Sequence, residues 1–443
     1  MPESLLQIEG NAPLGRESTG DRLHGLVRKL FPLCRSITGQ GLRDTLREIQ
    51  RHIPLVLHEV PTGTPALDWQ VPLEWNISSA RIEALDGRVI ADFDDCNLHV
   101  VSYSNPIDRV VSRGELSAHV HTLPDQPDLV PYRTGYYAEE WGFCLAHRVW
   151  EGMGDPCYRV RIDSRLAPGS LTYGELLVPG KEKDEVLFSV HCCHPSLAND
   201  NLSGIAVATE IARHLLRQDN RLSYRLLFIP ATIGSLTWLA RNESVLPHIS
   251  HGLVLTCVGD GGPFHYKRSR RGDAAIDRIV AHVLGCRGEP HKIMPFSPYG
   301  YDERQYCSPG YDLPVGCFMR SPNGTFPEYH TSADNLDFVT AEALEQSFKI
   351  LIDVIGVLER NVVYERVDGR GEPQLGRRGL YQAISGQKDK AETQMALLWL
   401  LNQADGRQSL LDIADRSGMP YGQLAIAAEL AANADLVRRS AKQ

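Results

Sequence analysis

The chain has 443 residues, too many for one ordinary hydrophobic core, so two or three domains are expected. Its 42% hydrophobic and 23% charged residues are typical of a soluble globular protein, and its net charge of -9 argues against a general binder of nucleic acid or anionic membranes. No stretch approaches the roughly 20 apolar residues of a membrane span. The N-terminal MPESLLQIEGNAPLG lacks the basic and apolar regions of a secretory signal, and no CxxC pair occurs. We therefore expect a cytoplasmic protein with free thiols and no membrane partner.

The N-terminal part of the chain changes from helical to β-rich character. Leucine and valine recur at helical spacing within Gly20–Ile53, until Pro54 ends the pattern. From Pro65 onward, short runs of alternating polar and apolar residues are separated by turn signals. We therefore predict helices over the first segment and a small β-rich domain inserted at residues 65–155.

From residue 156 to residue 363, predicted strands and helices alternate. The strands are Tyr158–Ile162, Thr172–Leu177, Val186–Val190, Arg225–Ile229 and Gly252–Leu255, and the helices are Ile205–Leu216, Ser235–Asn242, Ala274–Leu284 and Ala341–Leu358. This order is typical of a mixed or mostly parallel sheet covered by helices on both faces. Together with residues 1–64, the segment is predicted to form the main α/β domain.

A separate winged-helix domain is predicted at residues 364–443. The polar stretch YERVDGRGEPQLGRRG leads to three short helices, at Thr393–Asn402, Leu410–Arg416 and Tyr421–Ala432. The last, the expected recognition helix, has no Lys or Arg and one acid, whereas phosphate contacts dominate DNA affinity. Nucleic acid is therefore disfavoured as a partner. The apolar face of this helix instead suits packing on the main domain or on a second copy in a homo-oligomer.

The stretch Val186–Gly204 carries the densest group of chemically active side chains. Its apolar strand is followed by five potential ligands, His191, Cys192, Cys193, His194 and Asp200. In open α/β folds, ligands bind where strands end at their carboxyl termini. Two further polar patches, Tyr299–Tyr306 and Glu328–Asn335, follow later in the chain. Imidazoles and carboxylates from separate segments are the ligands of a Zn²⁺ site, so we predict a metal site here.

Several motifs resemble a known family. HCCHPSLANDNLSG, TIGSLTWLARNE, GYDERQYCSPG and YHTSADNLDFV are similar to sequences of the M28-like zinc aminopeptidase superfamily, which also includes glutaminyl cyclases. The match is closer to its bacterial aminopeptidase-like branch, of the DUF4910/DUF2172 type, with an inserted β domain and a C-terminal winged helix. The resemblance implies a three-layer αβα zinc-peptidase-like fold with a mixed sheet. It also implies that His191, Asp200 and His330 stand at metal-ligand positions, with His194 as a substitute or fourth ligand.

The sequence departs from that family at two of the metal-ligand positions, and Cys193 stands where a supporting aspartate usually sits. Active members carry a Glu-Glu pair after the next strand, whereas Ala231-Thr232 follows here, and the later ligand aspartate is absent around Thr256. With two carboxylate ligands gone, one Zn²⁺ ion per chain is expected rather than two. The general base must then come from elsewhere. The leading candidates are Glu303 and Asp302, followed by Glu328 and Glu139.

Other residues have two interpretations each. Arg304 could clamp a substrate carboxylate or only neutralise its acidic neighbours, and Tyr329 could bond a polarised carbonyl or only pack. Arg268 lies in the basic run Lys267–Arg271, which could hold a substrate anion or be a solvated loop. Cys192 and Cys193 are disfavoured as ligands, because consecutive strand-end side chains point in opposite directions and free cysteine is usually a buried apolar residue.

The sequence thus predicts a zinc-dependent, aminopeptidase-like hydrolase that acts on a small peptide or amide substrate. The missing acids leave open a second hypothesis, a non-hydrolytic binding or scaffold protein that keeps the peptidase fold.

Overall fold

The computed structural model describes residues 17–380 and 387–440. The stretch at residues 1–15, in which the sequence shows no secretory signal, lies outside the described residues. Backbone contacts divide the described chain into two compact units. The larger unit comprises residues 17–277 and 289–349, and the smaller comprises residues 278–288 together with the described residues from Ile350 onward.

The α-helices of the described residues are α1 Thr19–Leu30, α2 Gln40–Gln50, α3 Arg113–Leu116, α4 His147–Gly152, α5 Gly204–Leu215, α6 Ile233–Arg241, α7 Ala275–Arg287, α8 Glu303–Tyr306, α9 Ala341–Arg360, α10 Gln387–Gln403, α11 Leu410–Ser417 and α12 Tyr421–Asn433. Within this part of the chain, no helix is both long enough and apolar enough to cross a membrane.

The strands are β1 Val56–Pro61, β2 Pro65–Ala66, β3 Trp69–Gln70, β4 Glu74–Ala84, β5 Val89–Asp92, β6 Ile107–Ser112, β7 Val120–His121, β8 Phe143–Cys144, β9 Cys157–Ala167, β10 Ser170–Val178, β11 Glu185–His191, β12 Ser223–Ile229, β13 Ile249–Leu255, β14 Phe264–Lys267, β15 His291–Met294, β16 Val315–Met319, β17 Val363–Arg366, β18 Asp405–Ser409 and β19 Val437–Arg439.

The larger unit is built on a mixed eight-stranded sheet in the order β1-β10-β12-β11-β13-β16-β14-β15. Its centre, β12-β11-β13-β16, is parallel, and β1 and β10 add antiparallel strands at one edge. Every residue of β11 and β12 is buried, as expected for strands covered on both faces. This arrangement confirms the predicted mixed α/β fold, and it brings the carboxyl end of β11 to the middle of one sheet edge.

A second, four-stranded antiparallel sheet has the order β5-β4-β9-β6. The expectation that Tyr158–Ile162 belongs to the large sheet is wrong, because β9 pairs along its length with β4 and β6. One apolar core contains side chains of both sheets, for example Ile82 of β4 and Leu187 of β11. The boundaries of an inserted domain at residues 65–155 stay a prediction.

The smaller unit contains the C-terminal winged helix. Its three-stranded sheet, β18-β17-β19, accompanies α10, α11 and α12. β17, which ends at Arg366, extends into the first residues of the stretch that the sequence suggested as a linker. α11 starts with a capping box, in which Ser409 and Asp412 bond each other's backbone, and ends at Gly418, whose positive φ of 69° suits glycine. Leu424 and Ala427 of α12 are buried, so part of its apolar face serves the packing of the chain itself.

Candidate metal centre

Asp200 is the centre of the cluster of ligands. It lies in the irregular turn Ala198–Ser203 between β11 and α5, and its side chain is fully buried. His191 Nε2 approaches its Oδ1 at 2.8 Å, whereas His330 Nε2 and His194 Nδ1 lie 3.0 and 3.3 Å from its Oδ2. Three imidazoles from two segments that are far apart in the sequence therefore meet at one carboxylate.

Two tyrosine hydroxyls extend the cluster. Tyr301 donates a hydrogen bond to Asp200 Oδ2 at 2.7 Å, and its hydroxyl oxygen lies 2.6 Å from that of Tyr329. The ring of Tyr329 stacks on His330, with 4.0 Å between ring centroids. Burial and the negative charge of Asp200 raise the pKa values of both Tyr301 and Tyr329 above the ordinary value of a tyrosine, so both hydroxyls stay protonated at neutral pH. They are neutral hydrogen-bond donors rather than bases.

The charges of the cluster compensate one another. Burial alone would raise the pKa of Asp200, but the nearby His194 and His191 hold that pKa well below its usual range. Burial lowers the pKa of His191, although its bond to Asp200 opposes the shift. For His194, the charge of Asp200 outweighs burial and raises the pKa. The site therefore holds an ionised carboxylate beside His191, whose lowered pKa favours the neutral imidazole, and His194, whose raised pKa favours the protonated one.

Buried groups behind the cluster fix its backbone. Asp334, four residues after His330, accepts hydrogen bonds from the backbone amides of Asn199 and Asp200 at 2.6 and 3.0 Å. Arg35, 1% exposed, donates to the carbonyl oxygens of His194 and Pro195 at 2.7 and 3.0 Å. These contacts join the loop after β11 to the His330 segment and to the chain between α1 and α2. The ligands are thus positioned by second partners, as metal sites require.

The donor set fits a zinc ion. The ligand atoms of His191, His194 and Asp200 all lie within 4.8 Å of one another, and His330 contacts the same carboxylate. Imidazole nitrogen and carboxylate oxygen are ordinary zinc ligands, and three or four of them complete a site. Asp200 is ionised, as metal binding requires. The structure thus brings together the four side chains that the family resemblance marked as ligands.

The two leading candidates for the general base form no hydrogen bond or ion pair with the three imidazoles. Asp302 and Glu303 are fully buried. Ser235 donates to Asp302 Oδ1 at 2.8 Å, and Glu303 forms an ion pair with Lys267. Among residues 17–380, Asp200 is the carboxylate that bonds the three imidazoles, and neither of these acids does so.

The other candidate bases and the predicted substrate-binding arginines also form no hydrogen bond or ion pair with the three histidines. Glu139 is exposed and Glu328 half-buried, and neither side chain forms an ion pair with the three histidines. Arg304 is exposed on the short helix α8. Arg268 donates to the carbonyl of Gly272 at 2.6 Å, so it closes its own loop. Tyr329 is the predicted substrate residue that the structure places in the cluster.

Cys192 and Cys193 are buried free thiols, and neither contacts the ligand atoms. Burial raises the pKa of Cys193 to about 12, so it is a neutral thiol at physiological pH. Cys193 contacts the carbonyl oxygen of Ala231 at 3.7 Å. Both cysteines therefore serve the packing beneath β11 rather than the donor set.

Sequence reasoning missed four residues that shape the site: Tyr301, Asp334, Arg35 and Tyr132. The first two lie inside motifs that the sequence had marked, but next to residues with more obvious chemistry. Tyr132, from the segment between β7 and β8, places its ring edge-on to both His194 and His330, with 5.1 Å between ring centroids. Its role depends on a long-range approach of two segments, which no local pattern signals.

Comparison with known proteins identifies the family. Residues 24–361 match a domain of unknown function, DUF4910, and residues 362–439 match a winged helix-turn-helix family. The first match covers well over half of the chain, and the chain belongs to the DUF4910 family. The resemblance drawn from the motifs is therefore confirmed, including the C-terminal winged helix.

Individual relatives agree with this assignment. A Clostridium acetobutylicum protein, named for polysaccharide biosynthesis and an aminopeptidase-like domain, is 47% identical over 420 residues, covering 95% of this chain and 96% of the relative. The crystal structure of a C. acetobutylicum protein described as a peptidase matches with a TM-score of 0.91 and 46% identity, covering 95% of this chain and 96% of that one. The zinc aminopeptidase BSAP of Bacillus subtilis shares the fold, with a TM-score of 0.55 and 13% identity over 76% of this chain and 94% of that chain. The fold is thus aminopeptidase-like.

Proposed function

We propose that this protein is a zinc-dependent hydrolase of amide or peptide bonds that holds one zinc ion per chain. The observation that supports the proposal is the meeting of His191, His194 and His330 at the buried carboxylate of Asp200. A chain that needed only the fold would have no reason to bury an ionised carboxylate among three imidazoles, because each of these groups loses solvation there.

His191, His194, Asp200 and His330 are the residues that would hold the ion. When bound, zinc polarises a carbonyl and lowers the pKa of a bound water molecule to about 7. The chain supplies the surroundings of that chemistry. Tyr329 presents a neutral hydroxyl that can donate a hydrogen bond to an oxygen that gains negative charge, whereas the hydroxyl proton of Tyr301 is donated to Asp200. The partial exposure of His330, whose side chain is 34% accessible, leaves the site open to a substrate.

The substrate class follows from two sources. The aminopeptidase-like fold favours an amide bond, and the name of the Clostridium relative connects that protein with polysaccharide biosynthesis. We therefore include the amides of N-acyl amino sugars beside those of amino acids and small peptides. We further propose that the protein works in the cytoplasm, without nucleic acid or membrane as a partner, and that the winged helix can join two copies.

A second candidate function, ligand binding without hydrolysis, has one specific observation in its favour. In the part of the chain that the structure describes, no carboxylate besides Asp200 bonds the imidazoles, and Asp302 and Glu303 face other partners. A hydrolase of this kind would normally place an acid where it can accept a proton from the attacking water.

Metal analysis and turnover separate the two functions. Protein purified without chelator should contain about one zinc ion per chain, and His330→Ala should lower that content. Wild type and His330→Ala are then compared on aminoacyl amides and N-acyl amino sugars. Turnover that needs both zinc and His330 supports the hydrolase. Zinc binding with the same background rate in both proteins supports the binding function, and absence of zinc refutes the metal site itself.

A further inference from the structure

A polar pocket of about 330 Å³ opens beside His330. Its wall includes Gln126, Tyr132, Arg133, Phe326, Tyr329 and His330. Tyr329 and His330 belong to the candidate metal centre, so the pocket borders the place where an amide substrate would react. Its volume suits a group the size of an amino acid side chain or a phosphate rather than a long polymer.

One side of the pocket comes from the segment between β7 and β8. The Tyr132 amide donates to the His330 carbonyl at 2.8 Å, and the Ser332 amide donates to the Val130 carbonyl at 2.8 Å. Pro131 and Thr331 form an antiparallel bridge between these bonds. The segment that carries Arg133 is therefore paired with the segment that carries His330, so the distance between the two parts of the pocket is fixed by the backbone.

The charge on the wall has one sign. None of the residues that line the pocket is an aspartate or glutamate, although acidic residues outnumber basic ones in the whole chain by 55 to 46. Arg133 is exposed, and within residues 17–380 its guanidinium forms no hydrogen bond or ion pair. Arg148, an exposed arginine on α4, is by contrast paired with Asp128 at 3.0 Å. An unpaired guanidinium beside a reaction site is well suited to bind carboxylate or phosphate oxygens.

We infer that Arg133 selects substrates that carry an anionic group, a carboxylate or a phosphate, next to the amide bond that reacts. This inference rests on the proposed function for the identity of the reacting bond, but the binding of the anion itself needs neither zinc nor hydrolysis. Arg133 thereby takes the role of anion binding for which the sequence suggested Arg304 and Arg268.

Binding of three small probes tests the inference. The α-amides of N-acetylglutamate and N-acetylglutamine have the same shape, and only the first carries a carboxylate; inorganic phosphate represents the other anion. Each is titrated calorimetrically into the full-length protein, as purified and after removal of metal with EDTA. The variants are Arg133→Gln and, as a matched control on an exposed arginine of the same region, Arg148→Gln. Thermal unfolding of each variant confirms that it is folded.

We expect wild type to bind N-acetylglutamate α-amide roughly tenfold more tightly than N-acetylglutamine α-amide, or to bind phosphate, because a charge-assisted hydrogen bond contributes on this order. Arg133→Gln should remove the preference and Arg148→Gln should keep it. Preference for the carboxylate points to an acidic side chain in the substrate, whereas preference for phosphate points to a phosphorylated one.

Three outcomes would overturn the inference: equal affinity for the acid and its amide with no binding of phosphate, no binding of any probe at millimolar concentration, or an anion preference that survives in Arg133→Gln. Failure of the proposed hydrolase function has a different signature. Absence of zinc and of turnover, together with intact anion binding, would leave Arg133 as part of a binding site.

Discussion

Replacing Asp200 with Asn should destabilise the metal-free protein by about 3 kcal/mol. Three groups approach the carboxylate at 2.7–3.0 Å, namely His191, His330 and Tyr301. Asn201 Nδ2 lies 3.3 Å from His191 Nδ1 and can donate to it, so His191 Nε2 carries the proton that faces Asp200. In the Asn variant, an NH2 group replaces one of the two accepting oxygens, so a donor at position 200 faces another donor and that hydrogen bond is lost.

The size of the effect follows from the contacts. Each charge-assisted bond is worth about 1.5–3 kcal/mol, and breaking a buried ion pair from one side costs about 3–5 kcal/mol. Because Asn avoids the cost of burying a charge, the net loss should lie near the lower end of that range. Urea unfolding of the metal-free protein, followed by tryptophan fluorescence, measures the loss, and zinc analysis of protein purified without chelator measures the second expected effect, loss of bound metal.

Asp337→Asn is the matched control, since Asp337 is exposed in the same segment as His330. A change at such a position is expected to alter stability by no more than about 0.5 kcal/mol. If Asp200→Asn and Asp337→Asn unfold at the same urea concentration and retain the same zinc content, the carboxylate does not organise the site, and the reasoning about the metal centre is refuted.

Three further predictions concern buried polar groups near the site. Burial raises the pKa of Asp302 to about 7, so the folded protein holds a proton that the unfolded chain releases as the pH rises above about 4. The contribution of Asp302 to the free energy of unfolding therefore decreases as the pH rises from about 4 to about 7. In urea unfolding, the stability of Asp302→Asn relative to wild type should increase by up to about 4 kcal/mol over that pH range. A difference that does not change with pH would contradict this. Lys267→Met leaves Glu303 buried without its ion pair and should lower the free energy of unfolding by about 3–5 kcal/mol. The double variant Lys267→Met, Glu303→Gln should recover much of that loss. Equal stability of the single and double variants would contradict this. Tyr301→Phe removes the hydroxyl that bonds Asp200 and should weaken zinc binding about tenfold in chelator competition, whereas Tyr299→Phe, at a side chain that is 70% exposed, should not; equal affinities would show that the hydroxyl does not support the ligand.

Sequence patterns predicted the elements that local chemistry defines. The helix predicted at Ile205–Leu216 is observed at Gly204–Leu215, and the strand predicted at Val186–Val190 is observed at Glu185–His191. β9 was recognised as a strand but assigned to the wrong sheet. Its alternating pattern predicts which side chains are buried. The pattern does not predict that β4 and β6 are its partner strands, because that pairing spans more than 40 residues of sequence.

The candidate site shows the same limit. His191, Asp200 and His330 could be named because the motifs around them resemble a known family, and the structure places them within hydrogen-bonding distance of one another through Asp200. The assignment of Asp302 and Glu303 as bases stays a prediction without support from their contacts, since both acids turn toward Ser235 and Lys267. A carboxylate in a polar motif looks the same in sequence whether it faces a cleft or the interior. The role of Arg133 lies beyond such patterns, because it depends on a loop pairing with a distant segment.

The pairing of the Val130–Tyr132 loop with the residues around His330 has a practical consequence for anyone trimming this protein to a minimal catalytic core. Excising the four-stranded sheet together with the segment between β7 and β8 would expose the His330 carbonyl and the Ser332 amide. His330 would then lose its backbone hydrogen bond from Tyr132. A shortened protein would therefore be expected to lose its ligand geometry even where the large sheet folds.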